Sequence, residues 1–103
     1  MVYMFKDASS FNQSIEEWNT SQVPIMAGMF KDASSFNQSL DAWDTSAVKF
    51  MNGMFIGASS FNQCLSTWAG KSSTGVATTG MFSSSDCPYK NDPDPDPTLG
   101  AWC

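Results

Sequence analysis

The sequence predicts an α/β fold of repeated units, a right-handed solenoid whose coils carry short parallel strands on one face and short helices on the other. Three observations predict it. The run Met4-Phe5-Lys6-Asp7-Ala8-Ser9-Ser10-Phe11-Asn12-Gln13-Ser14 recurs unchanged from Met29, 25 positions on, and a third copy starts at Met54. Aromatic residues keep the same step, Phe11, Phe36 and Phe61 in one series and Trp18, Trp43 and Trp68 in another. Within a unit, an apolar spacing of three and four alternates with a spacing of two, so neither half can bury its apolar side without neighbouring units.

The helical half runs from Val23 to Asp32. Val23, Met26, Met29, Phe30 and Ala33 fall on one helix face, the hydroxyls of Thr20 and Ser21 precede it as caps, and Pro24 suits its first turn. Val48 to Gly57 repeats the pattern. The strand half runs from Phe11 to Ile15, with Phe11, Gln13 and Ile15 on one side and Asn12, Ser14 and Glu16 on the other. Its equivalents are Phe36 to Leu40 and Phe61 to Leu65.

Stacked coils would align Phe11, Phe36 and Phe61, and Trp18, Trp43 and Trp68, into two aromatic ladders. Each buried ring contributes about 2–3 kcal/mol relative to exposure, against roughly 0–1 kcal/mol for a surface ion pair. The ladders are therefore the expected source of stability.

The repeats loosen after Trp68, and the next Met-Phe pair, Met81-Phe82, follows a Gly/Ser/Thr-rich stretch that carries two extra residues. We divide the chain into a repeat solenoid over 1–82 and a Cys-bounded, Pro/Asp-rich cap or tail over 83–103. Met1, Met26 and Met51 share one repeat position, so the chain is expected to begin in mid-repeat, as a piece of a longer polypeptide would. The first coil, Met1 to Asp7, has no polar cap, and self-association through that end is one expected consequence.

Cys87 and Cys103 bracket the tail, and a bridge between them would contribute on the order of 3 kcal/mol by closing the loop. A Cys64–Cys87 pair and free thiols are the alternatives. The Asp92-Pro93-Asp94-Pro95-Asp96-Pro97 run reads as a stiff acidic rod. A calcium loop needs a turn glycine and a distal Glu that this stretch lacks, so a solvated linker is the stronger reading.

Composition excludes several functions. Ten acidic residues stand against five basic ones, for a formal charge of −5, which disfavours nucleic acid as a partner. No apolar run is long enough to span a membrane. With no His and no Arg, the usual acid, base and metal-binding groups are missing, so no enzyme, cofactor or metal is expected. Ser9-Ser10 and its copies read as turn residues.

The pattern Met-Phe-x-x-Ala-x-x-Phe-Asn-Gln-x-[Ile/Leu]-x-x-Trp-[Asn/Asp]-Thr-Ser-x-Val-x-x-Met resembles the BspA-like leucine-rich-repeat surface proteins, the DUF285 type of 25-residue repeat, from residue 1 to about 82. The resemblance implies a leucine-rich-repeat-like solenoid, exposure outside the cell and roles in adhesion. The tail is similar to a Cys-bounded segment that follows such repeats in some algal members. No catalytic residues carry over.

The expected function is therefore that of an extracellular or cell-surface structural or adhesive protein, with a protein or extracellular matrix surface as partner. Its candidate interaction face is the outward strand side: Asn12, Ser14 and Glu16, then Asn37, Ser39 and Asp41, then Asn62 and Ser66, with Cys64 between the last two. A merely solvated face explains these residues equally well. Asn12-Gln13-Ser14 and Asn37-Gln38-Ser39 also fit the N-glycosylation pattern, and a glycan there would cover the face. The alternatives are a self-assembling filament or sheet subunit and a glycan- or calcium-binding module.

Overall fold

Consecutive tight turns, rather than helix and strand, carry the chain around each coil. The computed structural model describes residues 1–96, 98 and 102–103. Pro97, which ends the Asp/Pro run, and tail residues 99–101 lie outside the described residues.

In the second coil Met29 N donates to Met26 O, Lys31 N to Gly28 O, Ala33 N to Phe30 O and Phe36 N to Ala33 O, each closing a four-residue turn. The intervening N–H groups point along the stack. Met26 donates to Phe50 O (2.8 Å), Gly28 to Asn52 O (2.9 Å), Phe30 to Met54 O (2.8 Å) and Asp32 to Ile56 O (2.8 Å). Of these eight backbone donors, half close turns and half join coils. The first coil repeats this through Tyr3, Phe5 and Asp7, which donate to Ala27, Met29 and Lys31. The third does so through Gly53, Phe55 and Gly57, which donate to Thr79, Met81 and Ser83.

This arrangement overturns the expected α/β fold class. The helices predicted over Val23 to Asp32 and Val48 to Gly57 are turns, because the third residue of alternate turns has a left-handed φ: Gly28 (+61°), Asp32 (+58°), Gly53 (+60°) and Gly57 (+73°). No residue of a right-handed helix can hold such a φ. An apolar spacing of three and four also fits a run of turns whose inward positions recur every three or four residues.

The strands predicted over 11–15, 36–40 and 61–65 are absent too. Among the described residues the extended pairings are two isolated parallel bridges, Ile25 to Phe50 and Phe50 to Ala77, and there is no sheet. The leucine-rich-repeat-like form with parallel strands falls with them. The physical reason lies in spacing. Phe5, Phe30 and Phe55 stack at 5.4 Å, whereas Phe11, Phe36 and Phe61 stack at 5.7 and 6.0 Å, and Trp43 and Trp68 at 6.5 Å. Paired strands need about 4.8 Å, so side chains bridge the coils on this side.

The single helix among the described residues, α1 (Ser66–Lys71), has six residues and sits where the two extra residues enter. In the second coil Leu40 to Thr45 holds a single turn, closed by Trp43 N donating to Leu40 O at 3.0 Å. In the third, the longer path from Leu65 to Ser72 winds into α1 and delivers Ser72 to the place of Thr45, whose hydroxyl it meets at 2.9 Å. The insertion is absorbed as one helical turn, and the stacking register resumes at Val76.

Inside the stack, two phenyl columns run side by side. Phe5, Phe30, Phe55 and Phe82 form one and Phe11, Phe36 and Phe61 the other, and the two rings of each coil lie 4.0–4.2 Å apart. Trp43 and Trp68 form a third column. Met26, Met29, Met51, Met54 and Met81 fill the remaining core without exposure, as flexible thioethers do. Among the described residues no buried side-chain polar atom lacks a partner, and no helix is long and apolar enough to cross a membrane.

Cys87 and Cys103 form a disulfide, and Cys64 is a free, exposed thiol. The tail folds over the last coil. Asp92 Oδ1 accepts from Gly80 N (2.8 Å), Pro93 O accepts from the Thr78 hydroxyl (2.7 Å), and Trp102 meets Trp68 edge-on at 6.3 Å.

Candidate functional site

The outward side that the alternation singles out is built from the chain between the Phe11 and Trp18 columns. Asn12 and Asn37 lie one above the other and tie the coils together. Asn12 Oδ1 accepts from Asn37 N (2.9 Å) and from Gln38 Nε2 (3.1 Å), and Asn37 Oδ1 accepts from Asn62 N (3.0 Å) and Gln63 Nε2 (2.9 Å). The side-chain carbonyl does here what a backbone carbonyl does in a sheet. Gln38 and Gln63 reach back to the asparagines rather than to one another.

Asp41 is occupied as well. Its carboxylate accepts from Thr67 N (3.1 Å) and the Thr67 hydroxyl (2.9 Å), which fixes the first turn of α1 from the coil below. Lys71, at the other end of α1, donates to Asp41 O (2.7 Å) and Trp43 O (2.8 Å). Ser14 and Ser66 are exposed, Glu16 and Ser39 are half-exposed, and Asn62 and Cys64 are exposed at the third coil. The structure divides the predicted residues by their partners. It gives Asn12, Asn37 and Asp41 internal partners and leaves Ser14, Glu16, Ser39 and Ser66 with side chains turned to no protein partner among the described residues.

A second polar strip follows the tryptophans. Asn19 Oδ1 accepts from Ser21 N (3.1 Å) and Ser21 Oγ (2.7 Å), and Asp44 Oδ1 accepts from Ser46 N (2.9 Å) and Ser46 Oγ (2.6 Å). These are Asx turns. The Ser46 hydroxyl, then its N–H, holds the Asp44 carboxyl below the usual carboxylate range. Between these turns Thr20 and Thr45 are buried, and the Thr20 hydroxyl donates to Asp44 O at 3.0 Å. In the tail, Thr98 N–H and then its hydroxyl lower Asp96 in the same way. Asp94 Oδ1 accepts from Asp96 N (2.9 Å), so Asp92, Asp94 and Asp96 all hold backbone N–H groups.

Sequence reasoning took Thr20 and Ser21 for helix caps and passed over several of the other residues. Asn19-Thr20-Ser21 and Asp44-Thr45-Ser46 signal paired Asx turns, and the former is a third glycosylation pattern, with Asn19 exposed. Gly28, Gly53 and Gly80 signal left-handed turn positions. Lys71 and Trp102 carry no signal that precedes the structure. Among the described residues no group of acidic or Cys side chains is arranged to hold a metal ion. The arrangement offers hydrogen-bonding groups in a repeated array.

No curated protein and no solved structure matches the chain. A family model described as "Mycoplasma protein of unknown function, DUF285" matches residues 1–92, the whole turn-built stack and the first part of the tail. The chain therefore belongs to the DUF285 family.

Proposed function

We propose that this chain is a structural and adhesive element outside the cell, which presents repeated polar groups to a protein or matrix surface and carries out no reaction. The observation that carries the reading is the outward side of the stack. Its asparagines are locked into coil-to-coil bonds, so they hold the hydroxyls and carboxylate of Ser14, Glu16, Ser39 and Ser66 at fixed intervals. A pre-ordered array of this kind loses little entropy on binding an extended partner.

The Cys87–Cys103 disulfide supports an oxidising location. The non-catalytic reading rests on a sequence without His or Arg, which lacks the residues that most often transfer protons and stabilise developing charge.

The experiment has two arms. Protease and antibody access to the chain on intact cells that express it tests location, and a signal that appears only after lysis overturns the extracellular reading. Binding of the purified chain to immobilised matrix proteins, compared with Ser14→Arg and Ser66→Arg variants, tests the face. Loss of binding in the variants is expected, and equal binding by all three chains removes this side as the contact.

A further inference from the structure

We propose that residues 87–96 and 102–103 form a disulfide-latched cap, which opens and closes over the last coil as a unit while the stacked coils beneath it stay folded. One backbone column shows what the cap does. Gly28 N donates to Asn52 O (2.9 Å) and Gly53 N to Thr79 O (3.0 Å), each glycine reaching the coil that follows. Gly80, the next in the column, reaches the tail and gives its N–H to Asp92 Oδ1 (2.8 Å). The tryptophan column ends in a similar way, since Trp68 lies parallel to Trp43 and meets Trp102 edge-on. One carboxylate and one turned ring thus supply what a further coil would supply with a backbone carbonyl and a parallel ring.

Noncovalent contacts hold these residues weakly. Most of them are exposed, and those buried are Cys87, Pro93 and Trp102. They reach the stack through Asp92, through Pro93 O, which accepts from the Thr78 hydroxyl (2.7 Å), and through Trp102 O, which accepts from Leu65 N (3.1 Å). Trp102 Nε1 turns back to Asp94 O within the tail (2.8 Å). A few bonds at about 0.5–1.5 kcal/mol each stand against an ordering cost of about 1–2 kcal/mol per residue. The Cys87–Cys103 link shifts that balance by closing the loop in the unfolded chain as well. The bonds from Met51 to Ala77, Phe55 to Met81 and Gly57 to Ser83, which join the third coil to the next, do not run through the tail. The stack therefore keeps them when the cap leaves.

Access sets the order of opening. Cys87 is 1% exposed and Cys103 is half-exposed, so the thiolate of a thiol reductant attacks Cys103 Sγ. The bond to Cys87 breaks, and Cys87 leaves as a thiolate that takes a proton from water. A second thiolate of the reductant then attacks the reductant sulfur of the mixed disulfide. Cys103 is released and protonated, and the reductant leaves as its own disulfide. A small-molecule disulfide reverses both steps and closes the cap.

The test compares the full chain, oxidised and after reduction with dithiothreitol, by NMR at one pH. Reduction is expected to bring the Gly80 and Leu65 amides to within about tenfold of unprotected exchange and to abolish the ring contact between Trp68 and Trp102. The Gly28, Phe30 and Asp32 amides, which join the second coil to the third, should stay protected by about a hundredfold or more. Oxidised glutathione should then restore the Gly80 protection and the ring contact. Loss of protection in both sets of amides makes cap and stack a single unit and overturns the proposal. A reduced chain that keeps Gly80 protected and the ring contact in place overturns it too, because the disulfide is then no latch. Reoxidation that pairs Cys64 with either tail cysteine has the same consequence.

Discussion

The indole N–H of Trp68 donates to the carbonyl of Leu40, one coil back, at 3.0 Å, while the Leu40 carbonyl also accepts the backbone N–H of Trp43. One carbonyl thus closes a turn in its own coil and anchors the ring of the next. Trp43 and Ile15 repeat the relationship. Replacing Trp68 or Trp43 by Phe removes the donor and leaves a gap beside a buried ring, for an expected loss of about 2–3 kcal/mol. Trp18→Phe, at the open end, should change stability by no more than about 0.5 kcal/mol. Urea unfolding of the three variants checks this, and equal losses at all three positions would contradict the column.

Much of this order was legible in the sequence, and the part that was not has a definite physical cause. The 25-residue step of Phe and Trp is the step at which the asparagine bonds recur. The turns were misread because Met26, Met29, Phe30 and Ala33 satisfy helical spacing equally well. The discriminating residues were the polar or small ones between them. Gly28 and Gly53 stand in the predicted helices, where glycine costs about 1 kcal/mol, and Asp32 joins them at a left-handed φ. The strand alternation of Phe11 to Ile15 misleads at its middle, because Gln13 is as exposed as Asn12 and Ser14, and Gln38 and Gln63 turn to the asparagine of the preceding coil. The two extra residues were visible as length, but that they wind into α1 depends on Leu65 and Ser72 both having to meet the coil below.

Left-handed positions offer a graded test of the turns. A Cβ on Gly53 would meet Ile56 Cγ2 at an ordinary 3.5 Å, so Gly53→Ala isolates the backbone cost, about 1–2 kcal/mol. At Gly57 a Cβ would also run into the Asp32 carboxylate. Gly57→Ala should therefore lose more than Gly53→Ala in thermal unfolding, and the reverse order would place the strain elsewhere.

The asparagine bridge separates an acceptor role from a surface role. Asn37→Ala strands the Asn62 N–H and the Gln63 amide and should cost about 1–2 kcal/mol. Asn37→Asp keeps an oxygen in place and should recover most of that loss. Asn62 gives its side-chain oxygen no donor among the described residues, so Asn62→Ala should stay within about 0.5 kcal/mol. Denaturant midpoints of the three variants decide it.

Reduction acts on the far end. The disulfide joins residues 16 apart in sequence, and opening it returns to the unfolded chain the entropy of a loop worth about 3 kcal/mol. Cys103→Ser should lower stability by that order and loosen Trp102, whose carbonyl accepts from Leu65 N at 3.1 Å. Cys64→Ser, at an exposed thiol, should leave the melting temperature unchanged. A drop with Cys64→Ser equal to that with Cys103→Ser would contradict the pairing.

Acid provides the last test, through Asp44. Its carboxyl is lowered by the Ser46 hydroxyl and N–H, and Asp96 is lowered by Thr98. A carboxylate that holds its proton less readily when folded stabilises the fold at pH values above its unfolded pKa, near about 4. That contribution is lost as pH falls through the lowered folded value, so stability should decline with acidification below about pH 4. Both groups stand in solvent, which keeps the slope shallow. Asn19 makes the same turn with Ser21 through an uncharged amide. Asp44→Asn should therefore preserve the turn, leave the urea midpoint at neutral pH nearly unchanged, and shrink the acid-induced drop. Asp44→Ala should lose stability at neutral pH as well, because no oxygen remains for the Ser46 N–H. If the Asn variant shows the same acid drop as the native chain, the protonation that weakens the fold occurs at another carboxylate, and Asp44 serves the turn through hydrogen bonding alone.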